Sequence, residues 1–290
     1  MKPVKPFSRF LLGALAALAF AAAGFTTYRA VIPMRGSTPE EISRALPGDE
    51  QVPDPDLVWN HAVTIHAPAE QVYPWLIQMG DSRAAFYSIT FIENAFCALS
   101  GECRYVNADK IHPEWQNPAR GVQGMIMDYM VINDTRPGEY VLAGAAPKLG
   151  LNWTWLWSVQ PVDGGTSRLI VRHRIAYPPG VPPFVMETVF NAGYVMERAM
   201  LLGIRARAEG RIPPPAAEPS GALVWLLVLA VGIAAAVRFV RGSGGYGSLG
   251  IGLAAVAVLF ILTFEQPELW VRWLLLLVTA AGLALTFRRG

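Results

Sequence analysis

Asn107 to Gln116, NADKIHPEWQ, gathers an Asp, a His, a Glu, a Trp and two amides into ten residues of an otherwise apolar chain. His112 could act as a general base, with Glu114 as its partner and Asp109 orienting the imidazole. Pro113 opposes that reading, because it favours an extended or turn conformation that points its neighbours apart. Asn107 and Asp109 are also ordinary turn and cap residues. The stretch therefore reads as a connecting loop, with His112 a ligand contact only if it faces inward. A metal site would need ligands from elsewhere, and only His61, His66 and His173 remain. No GxSxG, HExxH or phosphate-cradling loop occurs, so no catalytic residue, metal ligand or cofactor is assigned.

A second group of residues points toward binding. In WTWLWSVQP, Trp153, Trp155 and Trp157 share one face of a strand. Three such rings either fill a core or line a cavity. Met125 and Met127 from another strand, with Met196 and Met200 from a later helix, add soft walls that suit ligands of variable shape. His173 falls inward by parity. It is either a polar contact for a bound carbonyl or hydroxyl, or a neutral core imidazole. Arg83 with Tyr87 could meet an anionic headgroup at the mouth of such a cavity, or Arg83 could pair with Glu93.

The elements that would position these groups follow from periodicity. Val58 to His66 alternates as an edge or half-buried strand. Pro68-Ala69-Glu70 opens a helix with stripe Val72, Trp75, Leu76 and Met79, closed by Gly80. A second helix is predicted over Tyr87 to Leu99. Met125 to Ile132 and Glu139 to Ala143 read as strands around the turn DTRPG. WTWLWSVQP and RLIVRHRIAY form a hairpin about Asp163-Gly164-Gly165, with one apolar face and one wet face carrying Arg168, Arg172 and Arg174. Pro183 to Glu209 is a long helix. Its apolar stripe is Val185, Val189, Ala192, Met196, Met200 and Ile204, with Glu187, Asn191, Arg198 and Arg205 opposite. This order is an α+β layer.

Hydrophobic residues make up 53% of the 290 and the mean hydropathy is +0.33, which points to membrane segments. Phe10–Tyr28, Gly221–Val240, Tyr246–Phe264 and Leu269–Phe287 are nearly free of charge. About 20 residues at a rise of about 1.5 Å span a hydrocarbon core of about 30 Å. The first span follows Lys2, Lys5 and Arg9 and reads as a retained anchor, with a cleaved signal peptide as its rival. Basic residues before the first span, after the second (Arg238, Arg241) and after the fourth (Arg288, Arg289) share one side, placing both termini in the cytoplasm. Residues 30–219 then lie outside, with 15 Lys+Arg against 20 Asp+Glu. No basic face interleaved with aromatics suggests nucleic acid. Cys97 and Cys103, with five residues between them, are either a small disulfide loop or two reduced thiols.

Four stretches together resemble an uncharacterised bacterial branch of the START-like (SRPBCC, polyketide cyclase-like) superfamily. They are APAEQVYPWLIQMG, RAAFYSITFIENAF, NADKIHPEWQ and FVMETVFNAGYVMERAMLLGIRARAE. The resemblance covers about Leu57 to Gly210. It implies a helix-grip fold, an antiparallel sheet wrapped on a long C-terminal helix, with a cavity between them for an apolar ligand. It brings no catalytic residue. The expected organisation is an anchor over 1–29, a tether over 30–56, the helix-grip domain over 57–210, a Pro-rich linker over 211–220 and three spans within 221–290. The expected function is binding of a lipid or other hydrophobic small molecule outside the bacterial inner membrane. A cyclase- or hydrolase-like activity through His112 or His173, or a module for an envelope protein, are the other readings. The sequence names no protein partner.

Overall fold

The structure, a computed structural model, describes residues 6–100, 105–121, 124–126, 129–145 and 152–288. The chain divides into two units, residues 31–213 and residues 1–30 with 214–290. In the second, helices α1 (Pro6–Val31), α6 (Ala217–Arg241), α7 (Gly245–Phe260, prolonged by a π turn over Ile261–Glu265) and α8 (Leu269–Arg288) match the four apolar stretches. Each is long and apolar enough to cross a membrane, as expected for a membrane protein. Tyr28 of α1 stacks on Phe264 with ring centroids 4.7 Å apart.

Residues 31–213 form an antiparallel sheet in the order β1-β6-β5-β4-β3-β2. The strands are β1 (Leu57–Ile65), β2 (Gly124–Ile126), β3 (Met130–Arg136), β4 (Tyr140–Ala145), β5 (Asn152–Asp163) and β6 (Thr166–Ala176). The Asp163-Gly164-Gly165 turn joins β5 to β6, and Asp163 Oδ1 accepts from Gly165 N at 2.8 Å. Alternation then sends Trp59, His61, Val63 and Ile65 of β1 to the same face as Trp155, Trp157, Leu169, Val171 and His173. Short helices α3 (Ala69–Ile77) and α4 (Thr90–Ser100) precede the meander, and α5 (Pro183–Ala208) follows it. Met200, Leu201, Ile204 and Ala208 of α5 share one buried cluster with Val72, Trp75 and Leu76 of α3 and the inner face of the sheet.

Several expectations need correction. The strand expected over Met125–Ile132 is interrupted, since β2 ends at Ile126 and Tyr129 N turns back to Ile126 O at 2.8 Å. The second short helix begins at Thr90, because Ala85 and Tyr87 have φ of +54° and +58° and cannot extend a right-handed helix. In the first half of α5 the stripe is rotated. Val185 and Val189 are exposed, whereas Phe190, Asn191, Tyr194 and Glu197 are buried. Met127 and Cys103, and the side chain of Cys97, lie outside the described residues.

The arginine face of the sheet is not wet. Residues 32–53, expected as a tether, lie across it. Helix α2 (Pro39–Ser43) starts in a capping box between Thr38 and Glu41. Arg168 grips the Glu41 carboxylate through Nε and Nη2, both at 2.7 Å. Arg174 donates to Val52 O and Pro53 O. Beneath them Leu46, Ala62, Leu142, Leu156 and Ile170 form a second buried layer. Upstream, Ala62 N donates to Arg35 O, and Gly36 bridges to His61 along the free side of β1. Gly36 has φ of +82°, and a Cβ there would stand 2.1 Å from Ala62 O.

The approach of α5 to the loop before α4 is equally close. A Cβ on Gly203 would stand 2.2 Å from Tyr87 O and 2.9 Å from Tyr87 Cβ. Helix propensity alone favours alanine there by about 1 kcal/mol. Overlap with a backbone atom outweighs it, and Gly203→Ala is expected to lower stability by about 1–3 kcal/mol. Chemical denaturation of the two proteins in the same detergent measures the difference, and an unchanged or raised midpoint contradicts the packing argument.

Candidate functional site

Strand register dictates an arrangement that no single motif announces. Trp59 pairs with His173 and His61 with Val171, so the two histidines are diagonal neighbours on the inner face of β1 and β6. Diagonal positions in an antiparallel pair are about 7–8 Å apart, a gap that one carboxylate can bridge. Glu197 on the buried side of α5 does so. One oxygen bonds His61 Nδ1 and the other bonds His173 Nε2. All three groups are buried: His61 is 0% exposed, His173 4% and Glu197 5%.

The outer ring nitrogens are also occupied. Trp153 Nε1 donates to His173 Nδ1 at 2.9 Å. His61 Nε2 lies 2.7 Å from Ile32 O. An indole only donates and a carbonyl only accepts, so these two contacts assign the protons. His173 is neutral with its proton on Nε2, facing Glu197. His61 carries a proton on Nε2, and a single further proton lies between His61 Nδ1 and Glu197. Burial raises the Glu197 carboxyl, but the adjacent His173 and His61 more than offset it and hold it well below the ordinary carboxylate range. Aromatic rings enclose the network: Trp155 stacks on His173 at 5.4 Å, Trp59 and Tyr194 meet the imidazoles edge-on, and Phe190 meets Trp153 edge-on at 5.3 Å.

The residues expected at the site fall into two groups. Trp153, Trp155, Trp157, His173, Met125 and Met200 lie on or against the inner face, with Trp153 half-buried and the rest buried. Met196 is half-buried beside Ser88, whose hydroxyl donates to its carbonyl. Arg83 and His112 belong to other structures, and Tyr87, buried in the same cluster, turns its hydroxyl to Gln78. Arg83 donates to Ile77 O and Met79 O, capping the end of α3, and burial lowers its guanidinium to about 10. The Tyr87 hydroxyl accepts from Gln78 at 2.8 Å, and Arg207 lies 4.6 Å over its ring. His112 stacks on Trp115 at 4.0 Å, and its Nδ1 bonds the exposed Glu114. Gln78 holds NADKIHPEWQ in place, accepting from His112 N and donating to Lys110 O.

Glu197 and His61 were the missed participants. The signal for His61 was the parity of β1, which places it inward with Trp59 and Val63. Glu197 was hidden by the rotated stripe, although Tyr194, Leu201 and Ile204 lie at helical spacing around it. A separate cleft of about 490 Å³ opens near His66, Glu70, Trp75, Ile111, Arg207 and Glu209. It lies ten residues, about 15 Å, along α5 from Glu197. Its Glu209 is already bonded to His66 N and Arg211.

The inner face carries one further feature. Trp155 and Trp157 are 4% and 0% exposed, and neither indole N–H has an acceptor among the described residues. Buried donors are rarely left in this condition. Among the described residues, no group of three His, Cys, Asp or Glu side chains is arranged to hold a metal ion. No family model matches this sequence, and none of the curated proteins matches it.

Proposed function

We propose that residues 31–213 form a helix-grip domain of the START-like kind, which binds a lipid or other apolar small molecule between the sheet and α5. The observation that carries this reading is the pair of buried indole donors on Trp155 and Trp157, set in one buried apolar cluster with Met125, Met130 and Met200. Adaptable methionines there suit an apolar body, and two unmatched N–H groups call for an acceptor oxygen at its end. In the same reading the four membrane-length helices hold the chain in a bacterial cytoplasmic membrane, both termini inside and the sheet domain outside. The basic residues at their ends support that orientation. An activity through His112 or His173 has no comparable support, because His173 has both ring nitrogens engaged and His112 stacks on Trp115.

The test is extraction of the purified full chain with organic solvent, followed by mass spectrometry, together with titration of Nile red into the protein in lipid nanodiscs. An apolar compound that co-purifies and competes with the dye is the expected result. An empty extract together with no saturable dye binding overturns the proposal. Trp155→Phe and Trp157→Phe keep the ring and remove the donor. Each is expected to weaken the co-purifying compound by about fivefold, the worth of a typical hydrogen bond of about 1 kcal/mol. Stability should be unchanged or slightly higher, since an unmatched buried donor is removed.

A further inference from the structure

We propose that the Trp153–His173 hydrogen bond is a proton-operated latch: a proton bound at His173 Nδ1 releases the Trp153 indole and opens the inner face beside Phe190. In the network, His61 Nε2 faces a carbonyl, His61 Nδ1 and His173 Nε2 face the two oxygens of Glu197, and His173 Nδ1 receives the indole N–H. Each of the other three contacts, His61 Nε2 to the carbonyl and the two imidazole–carboxylate contacts, already holds one proton, and both oxygens of Glu197 are engaged. His173 Nδ1 is therefore the one position in the network that can take another proton without breaking an imidazole–carboxylate bond. Once protonated it is a donor, and it then faces a second donor in the Trp153 indole, so that hydrogen bond is lost.

The charged groups around His173 leave this outcome intact. Glu197 from α5 faces it directly, and His61 from β1 and Tyr194 from α5 lie beyond the carboxylate. Strand β5 contributes the rings of Trp153 and Trp155. Arg172 and Arg174, its neighbours on β6, point to the opposite face of the sheet and bind residues 41–53. A positive charge on His173 faces one oxygen of the Glu197 carboxylate, whose other oxygen bonds His61. What gives way is the neutral contact, at a half-buried tryptophan that stacks on His173 and Trp155 and meets Phe190 edge-on.

Trp153 stacks at 6.3 Å on Trp155, whose own indole N–H has no acceptor among the described residues. Its release uncovers the wall on which the proposed ligand site is built. That consequence, faster ligand exchange in acid, rests on the binding function proposed above, whereas the latch itself does not.

The experiment uses the full chain in lipid nanodiscs, with ¹⁵N-labelled tryptophan, taken from about pH 8 to about pH 5, the range in which imidazoles titrate. Nine indole signals are expected from the nine tryptophans, and Trp153→Phe identifies the one of interest. In the wild type the Trp153 signal should leave its hydrogen-bonded position and exchange with water as the pH falls. His173→Gln, which keeps a donor for Glu197 and has no titrating nitrogen, should abolish the change. Removing the indole donor in Trp153→Phe should tighten proton binding at His173 about three- to tenfold, read from its ring carbon shifts. A Trp153 signal that stays bonded across the range overturns the latch, as does unchanged proton affinity in Trp153→Phe. Nile red preloaded at the higher pH should leave faster at the lower one in the wild type and not in His173→Gln. If the dye never binds, the ligand reading fails and the indole signal still decides the latch.

Discussion

Glu197→Ala should destabilise residues 31–213 by about 3–5 kcal/mol, the cost of removing one member of a buried charged network and leaving its partner uncompensated. The loss is large because the carboxylate serves both histidines at once, so two ring nitrogens lose their partner together. Glu197→Gln should be far milder. Its amide oxygen can accept from His173 Nε2, and its amide N–H can donate to a neutral His61 Nδ1, so every position in the network stays filled. The two variants also differ in acid. The folded Glu197 carboxyl lies below its unfolded value, so its contribution is complete above about pH 4.3. That contribution is lost as the pH falls through the lower folded value. Wild type should therefore show an acid-dependent loss in this range that Glu197→Gln lacks, measured by denaturation midpoints at a series of pH values. A glutamine variant that falls as steeply as wild type would assign the acid sensitivity to other carboxylates.

Arg172→Ala should cost a similar amount on the other side of the sheet. Arg172 is 3% exposed and donates to Asn60 Oδ1, Asp49 Oδ2, Glu41 O, Ile42 O and Arg44 O, at 2.6–3.0 Å. Truncation strands three backbone carbonyls and a carboxylate, for an expected loss of about 3–5 kcal/mol. Lysine is a poor replacement, since one ammonium cannot reproduce a planar fork that serves five acceptors. Limited proteolysis is the direct readout. Cleavage within residues 38–53 should be slow in the wild type and rapid in Arg172→Ala. Equal rates would mean that this segment is held by its apolar contacts at Leu46 rather than by the arginine.

These two residues also mark where reading the sequence stopped. Period-two alternation was enough to find β1, β5 and β6 and to put the tryptophans on one face. Runs of apolar residues were enough to find the membrane-length helices. An arginine on the outer face of a strand, however, looks the same whether water or a Pro-rich segment covers it. Residues 32–53 have no period, so nothing in their order shows that they fold back on the sheet. Glu197 is a similar case. A lone acid on a helix reads as solvated unless its partners are known, and His61 lies 136 positions away in the chain. Such partners become visible only through strand register. The binding reading drew on composition, namely Trp and Met on converging faces, which is why Trp153 and His173 were legible while the carboxylate joining His173 to His61 was not.

The chain from Arg35 to Gly36, bridged along the free side of β1, bears on how copies of this protein coexist. An uncovered edge strand is a template for pairing with another copy, and membrane proteins are concentrated in two dimensions. Here one edge is occupied by the protein's own backbone, at a position where only glycine fits beside Ala62. A side chain at position 36 would therefore do more than strain a turn. It would lift the cover from β1 and give neighbouring molecules an edge to add to, turning a local packing fault into self-association.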